Sequence, residues 1–467
     1  VRRKMPIKTM PIYGKLTPIS ALLAMAVAAS MIFGGGGSGW PLPELVLQCI
    51  LAGFSFVWIW MLTGATARMP TRQALFLAAI LIGLPVLQLI PLPPILWHNM
   101  AGREVEVAAL QLIGGDQHWQ PWSMTPERTL ASLLAMAPMA VLLLMASTLE
   151  RAERNLILTG ITAVALLSLL VGAGQLSGEN ANIFRFYLPG VNFLNGFQSH
   201  HNHQADILLI AMVALTAVAK EYALGRGGAL HLRYFLGFVG GASLLLGVGV
   251  ILTASRSGMM LLPVPIFAQL WLLRRWLKLG RAQWLMAMTG LGIFALILAI
   301  ALSNNAVLAR VFGRFQTATE FRPEIWHDTI YAIRHFLPWG SGLGSFIPIF
   351  TSIERLEVVS DLLTNRAHND YLELMLEAGI PGAVLFMVAV LQIGRAAWRG
   401  IGDSASAMRA QNFCSVIILV IIGLHSLIDY PMRSMSLAAI AAVCAGFLLA
   451  TGKSGDVQVS NTVRDNT

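Results

Sequence analysis

The chain has 467 residues, of which 56% are hydrophobic and only 12% are charged. A soluble domain carries about 25% charged residues, so this composition excludes an ordinary soluble protein and predicts a polytopic membrane protein. The net charge of +9 is spread between apolar segments and forms no patch. This distribution argues against nucleic-acid binding and agrees with the positive-inside rule.

Apolar runs of spanning length recur along the whole chain. A bilayer core takes about 20 residues of helix, so these runs predict an all-α polytopic fold with about twelve transmembrane helices. The runs at 203–219 and 259–273 are short and are therefore the weakest candidates. The runs are residues 18–34, 43–63, 73–93, 129–148, 156–176, 203–219, 234–254, 259–273, 284–303, 380–398, 412–428 and 434–451.

The positions of the basic residues predict the sidedness. With both termini in the cytoplasm, 21 of the 32 basic residues, including all six lysines, lie on the inner side. The first run also fits a cleaved signal peptide, which would leave this sidedness unchanged. The predicted regions are transmembrane helices in 1–303, a large, partly helical periplasmic loop at 304–379, three more helices in 380–451 and a cytoplasmic tail at 452–467.

The end of the predicted loop is polar for so apolar a chain. Residues 365–382 read NRAHNDYLELMLEAGIPG, and 370–378 are predicted to form a short helix that ends at Gly379. One face of this helix is apolar and the other is acidic, so we expect the acidic face to be solvated. The acidic residues are Asp370, Glu373 and Glu377.

His368 directly precedes this helix and is the candidate general base. The positive end of the helix dipole and the nearby Arg366 favour a neutral imidazole, which can accept a proton. The acids of the first helical turns oppose this effect. A structural histidine in a loop is the alternative interpretation.

Arginines near helix ends are the candidate phosphate-binding groups, because a guanidinium grips phosphate through paired N–H bonds. Arg256 lies in TASRSG, between two apolar runs, where a charge needs a partner. Arg322 opens the predicted amphipathic helix RPEIWHDTIYAIRHF, whose apolar face holds Trp326, Ile330 and Ile333. The alternatives are a snorkelling arginine at position 256 and a solvated one at position 322.

Three further motifs allow more than one interpretation. In WGSGLGSF, Gly342 and Gly344 either bring backbone N–H groups to a diphosphate or form a plain turn. The run SHHNH ends at His203, and its three histidines can bind Zn²⁺ only if a fixed site supplies a fourth ligand. In HSLIDYPMR, Asp429 and Arg433 are expected to form a structural ion pair.

These motifs together resemble the O-antigen ligase family, which also covers bacterial polysaccharide polymerases and lipid-linked protein glycosyltransferases. His368-Asn369, followed after nine residues by Gly379 and then by Gly382, is similar to the family's histidine motif. The runs TASRSG, FRPEIW…PWGSGLGSF and FLNGFQSHHNHQAD are similar to its helix-end arginine, the start of its large periplasmic loop and its Asn-His segment. The match spans residues 195–433, and the His-His doublet departs from the expected pattern.

The resemblance implies a GT-C-like, multi-pass glycosyltransferase of the bacterial inner membrane with a periplasmic active site. It implies an inverting, metal-independent transfer, without a cofactor, of a glycan from undecaprenyl diphosphate to lipid A–core. The implied partners are the lipid-linked donor, a lipid A–core or growing polysaccharide acceptor, and membrane lipids. The implied site residues are the base His368, the diphosphate-binding Arg256, Arg322 and Arg366, and the accessory Asn202, His203, Gly342, Gly344, Asn369 and Asp370.

Two other functions stay open at this point. A polymerase of the same family, lengthening O-antigen or exopolysaccharide by repeat units, would use nearly the same loop chemistry. A polysaccharide or lipid transporter would carry carboxylates near the membrane midplane. Asp206, about one turn inside its predicted helix, comes closest to that position, so the transporter is disfavoured.

Overall fold

The computed structural model describes residues 17–36, 41–64, 68–176, 187, 193–225, 229–277, 322–359, 363–402 and 408–450. These residues are 76% helical with almost no strand, which confirms the all-α prediction. The apolar run predicted at 284–303 and the start of the predicted loop lie outside the described residues.

The secondary structure elements follow one another in a simple order. A two-residue antiparallel ladder joins strands β1 (Pro91–Leu92) and β2 (Gln120–Pro121). A 3₁₀ turn, Pro431–Arg433, precedes the last helix. The helices of the described residues are α1 (Pro18–Phe33), α2 (Pro41–Met61), α3 (Arg72–Leu89), α4 (Pro94–Trp97), α5 (Glu104–Leu112), α6 (Pro126–Ala146), α7 (Arg151–Gly174), α8 (His201–Gly225), α9 (Ala229–Leu252), α10 (Arg256–Leu261), α11 (Pro263–Leu277), α12 (Arg322–Phe336), α13 (Phe346–Ile353), α14 (Asp370–Gly402), α15 (Arg409–His425) and α16 (Met435–Leu449).

Seven helical stretches of the described residues are long and apolar enough to cross a membrane. Three shorter apolar helices, α1, α15 and α16, accompany them. The chain is therefore a polytopic membrane protein, and the count of twelve spans stays a prediction. The seven stretches are Leu42–Met61, Arg72–Leu89, Pro126–Ala146, Arg151–Gly174, Tyr234–Leu252, Arg256–Arg274 and Asp370–Gly402.

The directions of α1, α3 and α16 agree with the predicted alternation of spans. Thr71, at the start of α3, donates a hydrogen bond to the carbonyl of Leu449, at the end of α16, at 2.9 Å. At the opposite end of the bundle, Ser436 N donates to the carbonyl of Gly34, just after α1, at 3.0 Å. Helices α1 and α3 thus both run antiparallel to α16.

Helix α8 lies at the centre of the bundle. Residues 202–217 are buried without exception, although the run predicted at 203–219 was one of the two weakest candidates. The other weak candidate, 259–273, is divided between α10 and α11. The start of α8 therefore brings polar residues into a site surrounded by protein.

Helix α12 packs on the neighbouring segments through a face that differs slightly from the predicted one. Ile333 and Phe336 are buried as expected for an amphipathic helix, whereas Ile330 is 39% exposed. Trp326 Nε1 donates a hydrogen bond to the carbonyl of Ala367 at 2.9 Å. This contact attaches α12 to the segment just before α14.

Helix α14 is interrupted at Gly379, where φ is +57° and ψ is −154°. The predicted short helix therefore does end at this glycine, and a second helical segment follows directly. Ile380 N donates to the carbonyl of Pro338 at 2.9 Å. A Cβ at position 379 would lie 2.3 Å from that same carbonyl oxygen, so only glycine fits here.

Candidate active site

A cavity of about 180 Å³ lies at the start of α8, where four separate segments of the chain meet. It unites Arg256, Arg322 and His368, the three residues on which the sequence interpretation depends most. The other lining residues are His200, His201, Asn202, Ala254 and Ser257.

The backbone of His368 adopts a left-handed conformation, with φ of +49°. Such a conformation is costly for a residue other than glycine and is typical of functional sites. The next residue, Asn369, caps α14: its Oδ1 accepts from the N–H groups of Tyr371 and Leu372 at 3.0 Å each. Asn369 Nδ2 also donates to the carbonyl of Leu427 at 2.9 Å, which fixes the loop against the segment after α15.

The imidazole of His368 contacts a buried carboxylate. Its Nδ1 lies 3.3 Å from Oδ1 of Asp429, whose side chain is fully buried. A carboxylate at Nδ1 favours the tautomer that carries the proton there and leaves Nε2 as an acceptor. Burial alone raises the pKa of Asp429, but the hydrogen bond from His368 and nearby histidines outweigh it and hold this pKa well below its usual range.

The sequence interpretation gave Asp429 the wrong partner. It does not pair with Arg433. Its Oδ2 accepts from Asn202 Nδ2, and its Oδ1 accepts from the N–H of Tyr430 at 3.0 Å. The sequence does contain one indication that Asp429 has another partner. His425 and Asp429 lie four positions apart at the end of an apolar run.

Arg256 reaches the cavity from a tight turn between α9 and α10. Ala254 has a φ of +56°, and Ser255 caps α10 by accepting from the N–H of Gly258 at 3.0 Å. A Cβ on Gly258 would lie 2.5 Å from the Cβ of Ala205, so glycine allows α10 to pack on α8. The turn TASRSG thus places Arg256 on the cavity, as a phosphate-binding role requires.

The O-antigen ligase family model matches residues 241–387. Residues 241–387 are therefore similar to an O-antigen ligase domain, and this matched segment is called the O-antigen ligase domain below. This match confirms the family resemblance, and the matched segment contains Arg256, Arg322 and His368. Members of the family are glycosyltransferase-like ligases, and this match supports an enzyme function for the chain. No curated protein sequence matches the chain.

Arg366 of the O-antigen ligase domain is absent from the cavity lining. Its Nη1 pairs with Oε1 of Glu373 at 2.8 Å. Arg433 pairs with the same carboxylate at 3.2 Å and with Glu377 at 2.7 Å. Both glutamates are fully buried, so the predicted solvation of the acidic face is wrong for them. They can be buried because two arginines balance their charge. Diphosphate binding by Arg366 stays a prediction.

The glycine-rich turn of the O-antigen ligase domain is a packing element. Gly342 has a φ of +106°, and its N–H donates to the carbonyl of Glu377 at 2.8 Å. A Cβ there would lie 2.1 Å from Oγ of Ser123, and one on Gly344 would lie 2.9 Å from the carbonyl oxygen of Arg128. Neither glycine lines the cavity. The contacts therefore support the plain-turn alternative over diphosphate binding.

The remaining accessory residues differ in how they relate to the site. Asp370 accepts from Ser426 Oγ at 2.8 Å and from the N–H of Met432 at 3.1 Å, which ties the start of α14 to the segment after α15. His203 is 1% exposed and packs edge-on against Tyr430 at 5.3 Å. Neither Asp370 nor His203 lines the cavity, whereas Asn202 does.

The three histidines of SHHNH lie close together, with the ring centroid of His200 5.3 Å from that of His203. The rings of His200 and His201 stack at 4.9 Å, while His203 packs on Tyr430. Burial lowers the pKa of His200. Within the described part of the chain, no group of three or more His, Cys, Asp or Glu residues is arranged to hold a metal ion. The donor geometry therefore gives the zinc alternative no support.

Proposed function

We propose that this chain transfers a glycan from undecaprenyl diphosphate to lipid A–core by an inverting, metal-independent reaction. The observation that carries the proposal is the shared cavity of His368, Arg256 and Arg322. It combines one group that can take a proton with two that can stabilise a diphosphate. The similarity of residues 241–387 to an O-antigen ligase domain supports a lipid-linked glycan as the donor.

The proposed reaction is a single displacement at the anomeric carbon of the donor sugar. The acceptor hydroxyl oxygen forms a bond to that carbon while the carbon–oxygen bond to the diphosphate breaks. The bonding electrons leave with the diphosphate, and the hydroxyl proton passes to Nε2 of His368. Attack from the face opposite the leaving group inverts the anomeric configuration.

Arg256 and Arg322 supply the positive charge for this displacement. Negative charge builds up on the departing diphosphate in the transition state, where preformed cationic donors stabilise it most. Guanidinium groups are suited to this role because they stay charged and bind phosphate oxygens in pairs. In the proposal these two arginines take the place of a divalent cation.

Asp429 supports the proposed base in two ways. Its contact with Nδ1 keeps the lone pair on Nε2, and its negative charge stabilises the imidazolium that forms when His368 takes the proton. Because Asp429 is buried, this stabilisation acts in a medium of low dielectric constant and is stronger than it would be in water.

We further propose that the cavity faces the periplasm and that both termini lie in the cytoplasm of an inner-membrane protein. The distribution of lysine and arginine supports this orientation. The donor lipid would then enter from the bilayer, and its diphosphate would meet Arg256 and Arg322 near the membrane surface. The predicted loop at 304–379 would contribute Arg322 and His368 to the site.

A strain lacking the gene provides the test. We expect rough lipid A–core, with long polymer still attached to undecaprenyl diphosphate, when lipopolysaccharide and lipid-linked glycan are assayed together. Wild-type protein should restore ligation and His368→Ala should not, while His118→Ala, which changes an exposed histidine outside the cavity, should restore it fully. Normal ligation by His368→Ala would exclude it as the base. Core with a single repeat, or loss of secreted polymer alone, would identify a polymerase instead.

A further inference from the structure

Helices α8 and α15 meet through two pairs of polar side chains. Asn202 and Asp206 lie four positions apart on one face of α8, and His425 and Asp429 have the same spacing at the end of α15. Asn202 Nδ2 donates to Oδ2 of Asp429, and His425 Nδ1 lies 2.6 Å from Oδ2 of Asp206. The two contacts form a ladder with two rungs between the helices, called the polar ladder below.

The polar ladder is deeply buried. Asp206, His425 and Asp429 are 0% exposed, and Asn202 is 5% exposed. The second ring nitrogen of His425 lies 3.7 Å from Oδ2 of Asp429, so the imidazole sits between two carboxylates. Well-packed apolar residues often stabilise a core as well as such a network does, so its presence calls for another role.

The position of the ladder suggests that role. Asp429 uses one oxygen for Asn202 and the other for His368, so the ladder controls the orientation of the carboxylate that holds the proposed base. Asp206 and His425 are absent from the cavity lining and cannot touch substrate there. Their nearest link to the proposed base is Asp429, whose Oδ2 lies 3.7 Å from the second ring nitrogen of His425.

We propose that Asp206 and His425 are positioning residues that set the orientation of Asp429 and, through it, of His368. This inference rests on the proposed function of His368 as the base. The inference also assigns a role to the segment HNHQAD. Asn202 and Asp206 of this segment hold the end of α15 beneath the loop that precedes α14. The ladder works through geometry, because a misplacement of about 1 Å at a catalytic group costs about 100-fold in rate.

The test compares Asp206→Asn with Thr216→Val in the full-length protein reconstituted with lipid. Thr216 lies on the same helix and is equally buried, but its hydroxyl bonds within α8, to the carbonyl of Met212. The first readout is glycan transfer, resolved into kcat and donor KM. The second is the rate at which diethyl pyrocarbonate modifies His368, followed by peptide mass spectrometry, which requires no transfer activity.

For Asp206→Asn we expect kcat to fall about 10- to 100-fold with donor KM unchanged, because Arg256 and Arg322 remain in place. Modification of His368 should slow several-fold, since its Nε2 loses the support of an oriented Asp429. Thr216→Val should change neither quantity. A double variant with His425→Gln should be no worse than the poorer single variant, because both residues act through one contact.

Two results would overturn the inference: a wild-type rate of His368 modification in Asp206→Asn, or equal losses in Asp206→Asn and Thr216→Val. Failure of the proposed function itself gives a different pattern. If wild-type protein shows no transfer but Asp206→Asn still slows the modification of His368, the positioning role stands and the glycosyltransferase assignment falls.

Discussion

Asp429 accepts a hydrogen bond from Nδ1 of His368 although the two residues are 61 positions apart and lie at the ends of different helices. The contact forms because the loop before α14 docks on the segment after α15. Asn369 donates to the carbonyl of Leu427, and Asp370 N donates to the carbonyl of Ser426 at 3.0 Å. The site therefore depends on helix packing as much as on its own residues.

Replacing Asp429 tests this relationship directly. Asp429→Asn should lower kcat about 100-fold or more, because an amide can donate to Nδ1 and so favour the wrong tautomer of His368. Donor KM should change little, since the arginines are untouched. The measurement is steady-state transfer with purified lipid-linked donor, and unchanged kcat would show that the carboxylate has no part in the reaction.

For Asp429→Asn we also predict how its stability, relative to that of the wild type, changes with pH. The folded-state pKa of Asp429 lies below its unfolded value of about 3.9, so ionisation stabilises the fold above that value. This contribution is lost as the pH falls through the lower, folded-state pKa. The stability that the Asp429 carboxylate contributes to the wild type, relative to Asp429→Asn, should therefore shrink as the pH falls below about pH 4.

The two cavity arginines should not tolerate lysine. Arg256→Lys and Arg322→Lys keep the charge but lose the paired N–H bonds, so each should lower kcat/KM for the donor about 10- to 100-fold. Arg355→Lys is the matched control, because Arg355 pairs with Asp328 at 2.6 Å and does not line the cavity. If all three variants were equally active, the proposal that Arg256 and Arg322 bind the diphosphate would be wrong.

The buried cluster around Glu373 should govern stability. Glu373→Gln leaves Arg366 and Arg433 with less balancing charge, so we expect a loss of about 3 kcal/mol. Glu104→Gln is the control, because Glu104 is 71% exposed and its 3.7 Å contact with His335 contributes little. Thermal unfolding in detergent, followed by tryptophan fluorescence, measures both. Similar curves for the two variants would mean that the cluster is unimportant to the fold.

The glycine turn makes a further prediction about packing. Gly342→Ala introduces a Cβ 2.1 Å from Oγ of Ser123 at a φ of +106°, so it should destabilise the protein by about 2 kcal/mol or more. Gly394→Ala is the matched control, because nothing lies within 4 Å of a Cβ there and the residue is helical. It should be neutral or slightly stabilising. Thermal unfolding in detergent, followed by tryptophan fluorescence, distinguishes Gly342→Ala from Gly394→Ala.

The sequence predicted the residues of the cavity better than their partners. Arg256 and His368 were found because charged or titratable groups at the ends of apolar helices are rare and costly. The burial of Glu373 was missed because helical periodicity separates a polar face from an apolar one but does not show whether the polar face meets water or arginine. The partner of Asp429 was missed because no local pattern links positions 61 apart.

Helix α14 has 33 residues, and an unbroken helix of that length would extend about 50 Å, well beyond a hydrocarbon core of about 30 Å. The change of direction at Gly379 divides it into a long arm that matches the bilayer and a short arm that begins beside His368. The short arm is also held by the docking of Asn369 and Asp370 on the segment after α15. A residue inserted after Gly379 would lengthen the long arm by about 1.5 Å and rotate it by about 100° against this fixed arm, so it would disturb the packing of the site on the membrane-spanning helices.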